Sequence, residues 1–148
     1  MKLSTRSTYG MRALVEMALA PGRGPLSATA IAGRQDLSLA YLEQLLHRLK
    51  KHGVVTSIRG PKGGYVLAKS PERITVGEIV RALDGSIALT NGHGKGTHRN
   101  TQPIAYAVFR CVHERLAQSL DRVTLKDLCD DVRELSEKPL DHRYVFHI

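Results

Sequence analysis

The chain of 148 residues has only two cysteines and no long apolar run. Cys111 and Cys129 cannot build a disulfide framework, which is typical of proteins kept in a reducing compartment. The apolar segment 11–20 is interrupted by Arg12 and Glu16, so it suits neither a membrane span nor the core of a signal peptide. We therefore expect a soluble, cytoplasmic protein with no membrane partner.

Sequence motifs that carry catalysis are missing as well. No nucleophile elbow and no converging pair of carboxylates can be named, since Asp130 and Asp131 are adjacent and cannot share one helix face. The glycines around Lys95 do not form a phosphate-binding loop, because no strand precedes them and no Lys-Ser/Thr pair follows. The sequence therefore predicts that the protein is not an enzyme.

Acidic residues are scarce in the first half of the chain. Residues 1–74 hold 12 Lys/Arg and 4 Asp/Glu, a net charge of +8, whereas residues 75–148 hold 10 of each. The whole basic excess of the chain, whose pI is about 9.8, therefore lies in the first half. This asymmetry favours a polyanion such as double-stranded DNA as the partner of that half, and a generally solvated basic surface is the alternative.

A helix followed by a hairpin dominates this basic half. Ser38 suits the N-cap of the helix and Gly53 its end. Between them, apolar residues recur at i, i+3, i+4 and i+7 and predict one buried face: Leu42, Leu45, Leu46 and Leu49. Strand-like runs at 54–58 and 65–67 flank the turn Arg-Gly-Pro-Lys-Gly-Gly. This order is typical of a winged helix-turn-helix, whose helix fits the DNA major groove and whose basic turn can reach phosphates or the minor groove.

Further helices are predicted on both sides of this segment. An apolar stripe predicts a helix over 9–20, and a short capped helix follows over 28–34. The polar residues 1–9 suit either phosphate contacts or a capped helix start. The pattern Thr75-Val76-Gly77-Glu78 has the form of a capping box that begins another helix, which Asp84 and Gly85 close. The predicted fold is mainly α with a small β wing, and residues 1–85 form the winged helix-turn-helix domain.

The second half begins with a stretch that has no hydrophobic periodicity. Residues 86–102 are predicted as a flexible sensor-type loop. Pro103 suits the first turn of a helix of about 18 residues, roughly 27 Å long. Its apolar residues repeat at i+4 and suit either a dimer interface or an intramolecular core: Ile104, Val108, Val112, Leu116 and Leu120. Two half-sites on DNA favour the dimer, so residues 103–148 are predicted as a dimerisation helix and C-terminal tail.

Several segments together resemble the Rrf2 family of bacterial transcription regulators. They are Met-Lys-Leu-Ser-Thr…Tyr-Gly at 1–10, Leu-Ser-Leu-Ala-Tyr-Leu-Glu-Gln-Leu at 37–45, Ser-Ile-Arg-Gly-Pro-Lys-Gly-Gly-Tyr at 57–65, Thr-Val-Gly-Glu-Ile at 75–79 and Tyr-Val-Phe-His-Ile at 144–148. The resemblance covers nearly the whole chain. It implies a homodimeric winged helix-turn-helix regulator with a long crossed dimerisation helix, and we expect a repressor.

By this resemblance, Glu43 and Gln44 look like the base-reading residues and Arg59 like the minor-groove arginine of the wing. The chemistry agrees, since a carboxylate accepts from the cytosine amino group and an amide pairs with adenine. Tyr41 suits a scaffold role and Arg48 a phosphate contact. The full predicted DNA-binding set is Lys2, Ser38, Ala40, Tyr41, Glu43, Gln44, Arg48, Lys51, Arg59, Gly60, Pro61, Lys62, Gly63 and Gly64.

The sensing half differs from the cluster-binding members of the family. Those members carry three cysteines and a histidine in and just after the loop, whereas residues 86–102 contain no cysteine. Pro103 and Tyr106 stand where the third cysteine and the histidine would fall. The closer resemblance is to the cluster-free cysteine-metabolism repressor of the family, which answers to a partner enzyme or to thiol oxidation. We therefore predict no cofactor, and a response to thiol state or to a partner protein.

Cys111 is the candidate redox residue, because nearby Arg110, His113 and Arg115 favour the reactive thiolate. A small packed hydrophobe is the alternative interpretation of this cysteine. Cys129 stands among aspartates, which predicts a raised pKa and a poorer sensor.

Two other functions stay open from the sequence. The first is an iron–sulfur or metal-sensing regulator with unusual ligands, for which His93 and His98 could act with His113 or a second subunit's His142. Solvent-exposed loop histidines are the simpler interpretation of these residues. The second is a protein-interaction module whose C-terminal half binds an enzyme.

Overall fold

A computed structural model of the protein describes residues 3–86 and 102–137. In chain order the elements are α1 (Thr5–Leu19), a 3-10 turn (Pro21–Arg23), α2 (Ala28–Gln35), α3 (Leu39–Lys51), β1 (Val55–Ile58), β2 (Gly64–Leu67), a second 3-10 turn (Pro71–Arg73), α4 (Val76–Asp84), α5 (Gln102–Arg122) and α6 (Leu125–Glu137). The predicted mainly α fold with a small β wing is confirmed. Lys2, most of the predicted loop and the tail at 144–148 lie outside the described residues.

One hydrophobic core joins all the helices except α5. The leucine stripe of α3 lies within it, packed against α1, α2 and α4, and the start of α6 belongs to the same core. Burying a leucine side chain contributes about 1.5–3 kcal/mol, so this face of α3 is strongly fixed toward the protein interior. The largest fully buried side chains are Leu14, Ile31, Leu42, Leu45, Leu46, Leu49, Val54, Val55, Ile74, Ile79, Leu83 and Leu125.

The first helix begins earlier than the apolar stripe predicted. Residues 5–8 are helical, so α1 starts at Thr5 and not at Tyr9. The reason is a local cap, because the Ser4 hydroxyl accepts a hydrogen bond of 3.0 Å from the backbone N–H of Ser7. The polar segment therefore provides a capped helix start, and phosphate contacts by the same segment stay a prediction.

The end of α3 confirms Gly53 as its terminator and corrects the start of β1. Gly53 has φ 72°, and its N–H donates to the Lys50 carbonyl at 3.0 Å. The N–H of Val54 donates to the Leu49 carbonyl at 2.9 Å, so the two bonds form a Schellman motif. Val54 therefore belongs to the helix terminus, and β1 begins at Val55 and not at Val54 as predicted. The strands pair antiparallel from Val55 with Leu67 to Ile58 with Gly64.

Two predictions from the later part of the chain, the capping box at Thr75 and the start of the long helix, are met only in part. Thr75 caps α4 by accepting from the N–H of Glu78 at 3.1 Å, but the Glu78 carboxylate binds the Lys69 ammonium at 2.5 Å. The predicted capping box is therefore only half formed, because the Glu78 carboxylate is engaged by Lys69, which follows β2. Helix α5 begins at Gln102, one residue before Pro103, and has 21 residues where about 18 were expected.

A single carboxylate connects the start of α1 to the end of α4. Asp84 accepts hydrogen bonds from the hydroxyls of Ser4 at 2.5 Å and Ser7 at 2.6 Å. Its other oxygen lies 3.2 Å from Nε of Arg6. Ser7 is fully buried, so its hydroxyl depends on Asp84 for a partner. This cluster fixes the N-terminal segment against the body of the domain.

We expect Asp84→Ala to lower the free energy of unfolding by about 2–3 kcal/mol, because it removes charge-assisted bonds and leaves a buried hydroxyl unpaired. Urea unfolding followed by circular dichroism measures the change, at equal protein concentration for every variant. Asp131→Ala, at an exposed position of α6, is the matched control and should change stability by less than about 0.5 kcal/mol. Equal losses in the two variants would contradict a structural role for Asp84.

Candidate nucleic-acid interface

Helix α3 presents a polar face opposite its buried leucines. Leu42, Leu45 and the other two leucines of the stripe are at most 1% exposed. The opposite side chains are exposed, as the sequence predicted: Glu43, Gln44, His47, Arg48 and Lys51. Both faces follow from the same 3.6-residue period, since burying the leucines leaves the polar residues no direction but outward.

Glu43 and Gln44 stand on this face near the helix start. Among residues 3–86 and 102–137, no hydrogen bond or ion pair engages either side chain. Their carboxylate and amide groups are therefore available for external partners such as base edges. Ala40, beside them and also exposed, adds no polar group to the face.

Both ends of α3 are fixed to the rest of the domain. The Ser38 hydroxyl accepts from the N–H of Tyr41 at 3.2 Å, which caps the helix. The Tyr41 ring meets the Tyr9 ring of α1 edge-on, with centroids 6.3 Å apart. Such aromatic pairs stabilise packing by about 0.5–1.5 kcal/mol. Tyr41 is half-buried, and this contact suits the scaffold role predicted for it.

Basic residues cluster toward the C-terminal part of α3. Nη1 of Arg48 donates to the Leu83 carbonyl of α4 at 3.4 Å, so part of this guanidinium is used inside the protein. Nζ of Lys50 donates to the Ser57 hydroxyl at 2.6 Å and joins α3 to β1. Lys50 was missed from the sequence, because its partner belongs to the following strand. Lys51 is exposed and free of any ion pair within the described part of the chain.

The turn between β1 and β2 forms the wing predicted from the sequence. The Gly63 N–H donates to the Gly60 carbonyl at 2.9 Å, which closes a β-turn with Pro61 at its second position. Arg59 and Lys62 are exposed on this turn. The short basic segment therefore projects two cations on a conformation that proline restricts.

Two glycines of the wing stand where any Cβ atom would overlap neighbouring backbone. Gly64 has φ 151°, and a Cβ built there would overlap the backbone of Leu26. The N–H of Leu26 donates to the Tyr65 carbonyl at 3.0 Å, and the N–H of Tyr65 donates to the Leu26 carbonyl at 2.8 Å. The wing is therefore held directly against Leu26, which precedes the N-cap residue of α2. Gly63 is equally confined, because a Cβ there would overlap the Ile58 carbonyl.

An apolar surface follows the first half of α5. Exposure falls along the predicted stripe, from 72% at Ile104 to 55% at Val108 and 49% at Val112, and Leu116 and Leu120 are half-buried. Tyr106 is 70% exposed and Phe109 52% exposed. These two residues fall outside the predicted i+4 series, although their i+3 spacing on the same helix is a signal in the sequence. We call Ile104, Tyr106, Val108, Phe109 and Val112 the α5 apolar surface.

The two cysteines lie in different environments. Cys111 is exposed on α5, so the alternative of a packed hydrophobe does not describe it within one subunit. Cys129 is 5% exposed in the core, and burial raises the pKa of its thiol, with Asp130 adding to the rise and Arg133 opposing it. The predicted direction of this pKa is confirmed, but the main cause is desolvation and not the neighbouring aspartates.

An iron–sulfur cluster does not fit the residues described. Clusters need about four thiolate or imidazole ligands, yet Cys111 is exposed on α5 while Cys129 is buried in the core. Within residues 3–86 and 102–137, no three His, Cys, Asp or Glu side chains come together as a metal site. The loop histidines His93 and His98 lie outside the described residues. In that same part of the chain, no helix is both long and apolar enough to cross a membrane.

The amino-acid sequence matches one protein family along most of its length. A family model described as Rrf2, iron-dependent transcriptional regulator, matches residues 3–131. The HTH-type transcriptional regulator IscR of Klebsiella pneumoniae is 37% identical over 145 residues, which cover 97% of this chain and 89% of that relative. IscR of Escherichia coli has the same identity, and the match covers 90% of its length.

Solved structures agree with the sequence match. CymR, the global cysteine regulator of B. subtilis, superposes with a TM-score of 0.72 at 37% identity and covers 88% of this chain and 98% of that chain. IscR of T. potens gives a TM-score of 0.72 at 37% identity, with 97% and 96% coverage. These relatives are transcription regulators, not enzymes, and the winged helix-turn-helix described above is the fold they share. The chain belongs to the Rrf2 family of DNA-binding transcription regulators.

Proposed function

We propose that the protein is a homodimeric repressor that reads paired DNA half-sites with α3 and the wing. The exposed, unengaged pair Glu43 and Gln44 on a helix fixed by its buried leucines is the observation that carries this proposal. In this proposal residues 1–85 bind DNA, residues 86–102 form the sensor-type loop, and residues 103–148 pair the subunits. Repression follows if the dimer covers a promoter.

The DNA contacts divide into reading and anchoring. Glu43 accepts from a cytosine amino group, Gln44 pairs with an adenine edge, and Arg59 enters the minor groove. Lys51 and Lys62 bind phosphates, and so does the Arg48 guanidinium beyond its bond to Leu83. Ser38, Ala40 and the wing turn 60–64 supply close backbone approach, and Lys2 adds a cation at the chain start.

We expect Glu43→Ala and Lys62→Ala to weaken DNA binding in different ways. Glu43→Ala should relax base preference at one position of each half-site, at a cost of about 1–3 kcal/mol for the preferred base. Lys62→Ala should weaken all sequences alike and reduce the slope of log K against log salt by about 0.9 for each phosphate that is no longer neutralised. Binding to a panel of single-base operator variants at several salt concentrations measures both effects. Identical behaviour of the two variants would contradict this division.

The α5 apolar surface supports the dimer. Five large apolar side chains, each at least 49% exposed, follow one stretch of a 21-residue helix. Contiguous exposed apolar residues of this kind mark interaction sites, because water contact with them is unfavourable. Pairing two copies through α5 would cover this surface and join two reading heads, as paired half-sites require.

We expect Val112→Asp to convert the dimer to monomer at micromolar concentration, because it places a charge in an apolar interface. Sedimentation velocity over a hundredfold range of concentration measures the association. Gln118→Asp places the same charge on a different side of α5, at an exposed polar position, and should leave the dimer intact. A Val112→Asp protein that stays dimeric would show that pairing uses another surface.

For the signal, we favour thiol chemistry at Cys111 or a partner protein over a cluster. Cys111 is the exposed thiol of the described residues, and Arg110 and His113 are its near neighbours in the sequence. One relative, CymR of Staphylococcus aureus, has a crystal structure of an oxidized form. That relative makes a thiol response a reasonable proposal for this chain.

We expect Cys111 to react with iodoacetamide at pH 7.5 about tenfold faster than Cys129, because burial raises the pKa of Cys129 and removes it from solvent. Mass spectrometry of timed samples measures both rates in the same protein. Cys111→Ser should abolish any loss of DNA binding caused by mild oxidation, whereas Cys129→Ala should not. Oxidation-sensitive binding in Cys111→Ser would contradict the thiol proposal.

An iron–sulfur regulator remains the second candidate, because the matching family is described as iron-dependent. An anaerobic absorption spectrum with iron and sulfide analysis distinguishes the two candidates. A coloured protein with about two irons per subunit, the content of a [2Fe–2S] cluster, would move the search to His93, His98 and Cys111. A colourless protein that binds DNA would favour thiol chemistry or a partner protein.

A further inference from the structure

Backbone hydrogen bonds join the segment just after α5 to the start of α4. The Val76 N–H donates to the Val123 carbonyl at 2.8 Å, and the Leu125 N–H donates to the Ile74 carbonyl at 2.8 Å. These bonds surround a bridge between Thr75 and Thr124. The connection between α5 and α6 is therefore held in register against the start of α4.

A carboxylate adds side-chain bonds at the same junction. Asp121 of α5 accepts from Arg81 of α4 through both oxygens, at 2.6 Å from Nη2 and 3.2 Å from Nη1. It also accepts from the Thr75 hydroxyl at 3.4 Å. A bidentate arginine–carboxylate pair fixes direction as well as distance, which a single contact does not.

Gly77 makes this approach possible. A Cβ built at Gly77 would overlap the Asp121 carboxylate oxygen, so no other residue type leaves room for the pair as it stands. Three residues of α4's capped start and first turns, Thr75, Gly77 and Arg81, thus form a cradle for one side chain of α5. We call these three residues and Asp121 the α4–α5 clamp.

Helix α4 is in turn fixed to the DNA-reading elements. Arg48 of α3 donates to the Leu83 carbonyl, and Asp84 accepts from Ser4 and Ser7 at the start of α1. At its other end, Glu78 binds Lys69, which follows β2. The clamp therefore joins α5 to a block that already holds α3 and the wing.

The geometry of a lever follows from these connections. With a rise of 1.5 Å per residue, Val112 lies about 13 Å and Ile104 about 25 Å along α5 from Asp121. A rotation of α5 by about 10° at the clamp would shift these residues by roughly 2 Å and 4 Å. One base pair advances about 3.4 Å along DNA. A rotation of α5 of this size would therefore change the separation of the two DNA-reading heads by about one base pair.

We propose that the α4–α5 clamp sets the spacing of DNA half-sites, with Asp121 as its positioning residue. The inference rests on the proposed dimer through α5, and it assigns a specificity role to residues remote from the DNA-reading face. In this proposal α3 and the wing determine base preference within a half-site, whereas the clamp determines the permitted separation of two half-sites. Weakening the clamp should therefore widen the range of half-site separations that the protein accepts. The preferred sequence of each half-site should stay unchanged.

Selection from random DNA tests this with the full-length protein. Wild type is compared with Asp121→Asn, which weakens the bidentate pair, and with Gly77→Ala, which displaces the carboxylate. Asp130→Asn is the matched control, because Asp130 forms an ion pair of similar exposure with Lys126 inside a single helix. Gly33→Ala controls for adding a methyl group to a helix, since a Cβ there meets nothing within 4 Å.

Wild type and both controls should select paired half-sites at one separation and bind it about tenfold tighter than separations one base pair longer or shorter. Both clamp variants should select the same half-site, stay dimeric, and discriminate separations by less than about threefold or prefer a different one. Clamp variants with wild-type spacing preference would overturn the proposal. Wild type that selects no paired half-sites would instead overturn the proposed dimeric function, and with it this inference. Thermal unfolding of each variant verifies that the comparison is between folded proteins.

Discussion

The burial of four leucines on one face of α3 is the constraint on which the rest of the structure depends. Each leucine is almost completely removed from water, so α3 cannot rotate about its axis without exposing a large apolar area. The polar face is therefore oriented by the core and not by its own contacts. Glu43 and Gln44 need no internal partner to hold their direction, which leaves them available for recognition.

The supporting contacts extend this rigidity outward. The Schellman motif at Gly53 carries the chain from α3 into β1, and the bonds between Leu26 and Tyr65 hold the hairpin against the start of α2. Helix α3 and the wing thus belong to one block, in which a displacement of either would break backbone hydrogen bonds. Preorganisation of this kind reduces the entropy lost when a protein binds a rigid duplex.

Local patterns made much of the molecule predictable from sequence. The signals for α3 and the wing each act over a few residues: the leucine period, Ser38, Gly53 and the Arg-Gly-Pro-Lys-Gly-Gly turn. The structure has the helix and the wing where these signals predict them. Contacts between distant residues could not be predicted in this way. Asp84 meets Ser4 across 80 positions and Arg81 meets Asp121 across 40, and no local pattern distinguishes these aspartates from others on the surface.

At three places an interaction outside the local sequence pattern decides the outcome. Glu78 was expected to complete a capping box, but Lys69 offers it an ion pair, which a sequence window around Thr75 does not contain. Helix α1 extends to Thr5 because a cap, not the apolar stripe, decides where it begins. The environment of Cys129 shows the same limit, since its pKa follows burial by distant residues more than its acidic neighbours.

The α5 apolar surface has a consequence for the lifetime of the protein. Under the proposed dimer, a newly made subunit exposes Tyr106, Phe109 and the aliphatic side chains around them until it meets a second copy. Unpaired subunits are then the form that chaperones and proteases recognise, because such surfaces are what they bind. The amount of paired protein rises with the square of the subunit concentration while pairing is incomplete. A modest fall in synthesis would therefore lower the concentration of the dimer more than in proportion. Below a certain rate of synthesis the cell would hold little dimer, whatever the state of any signal.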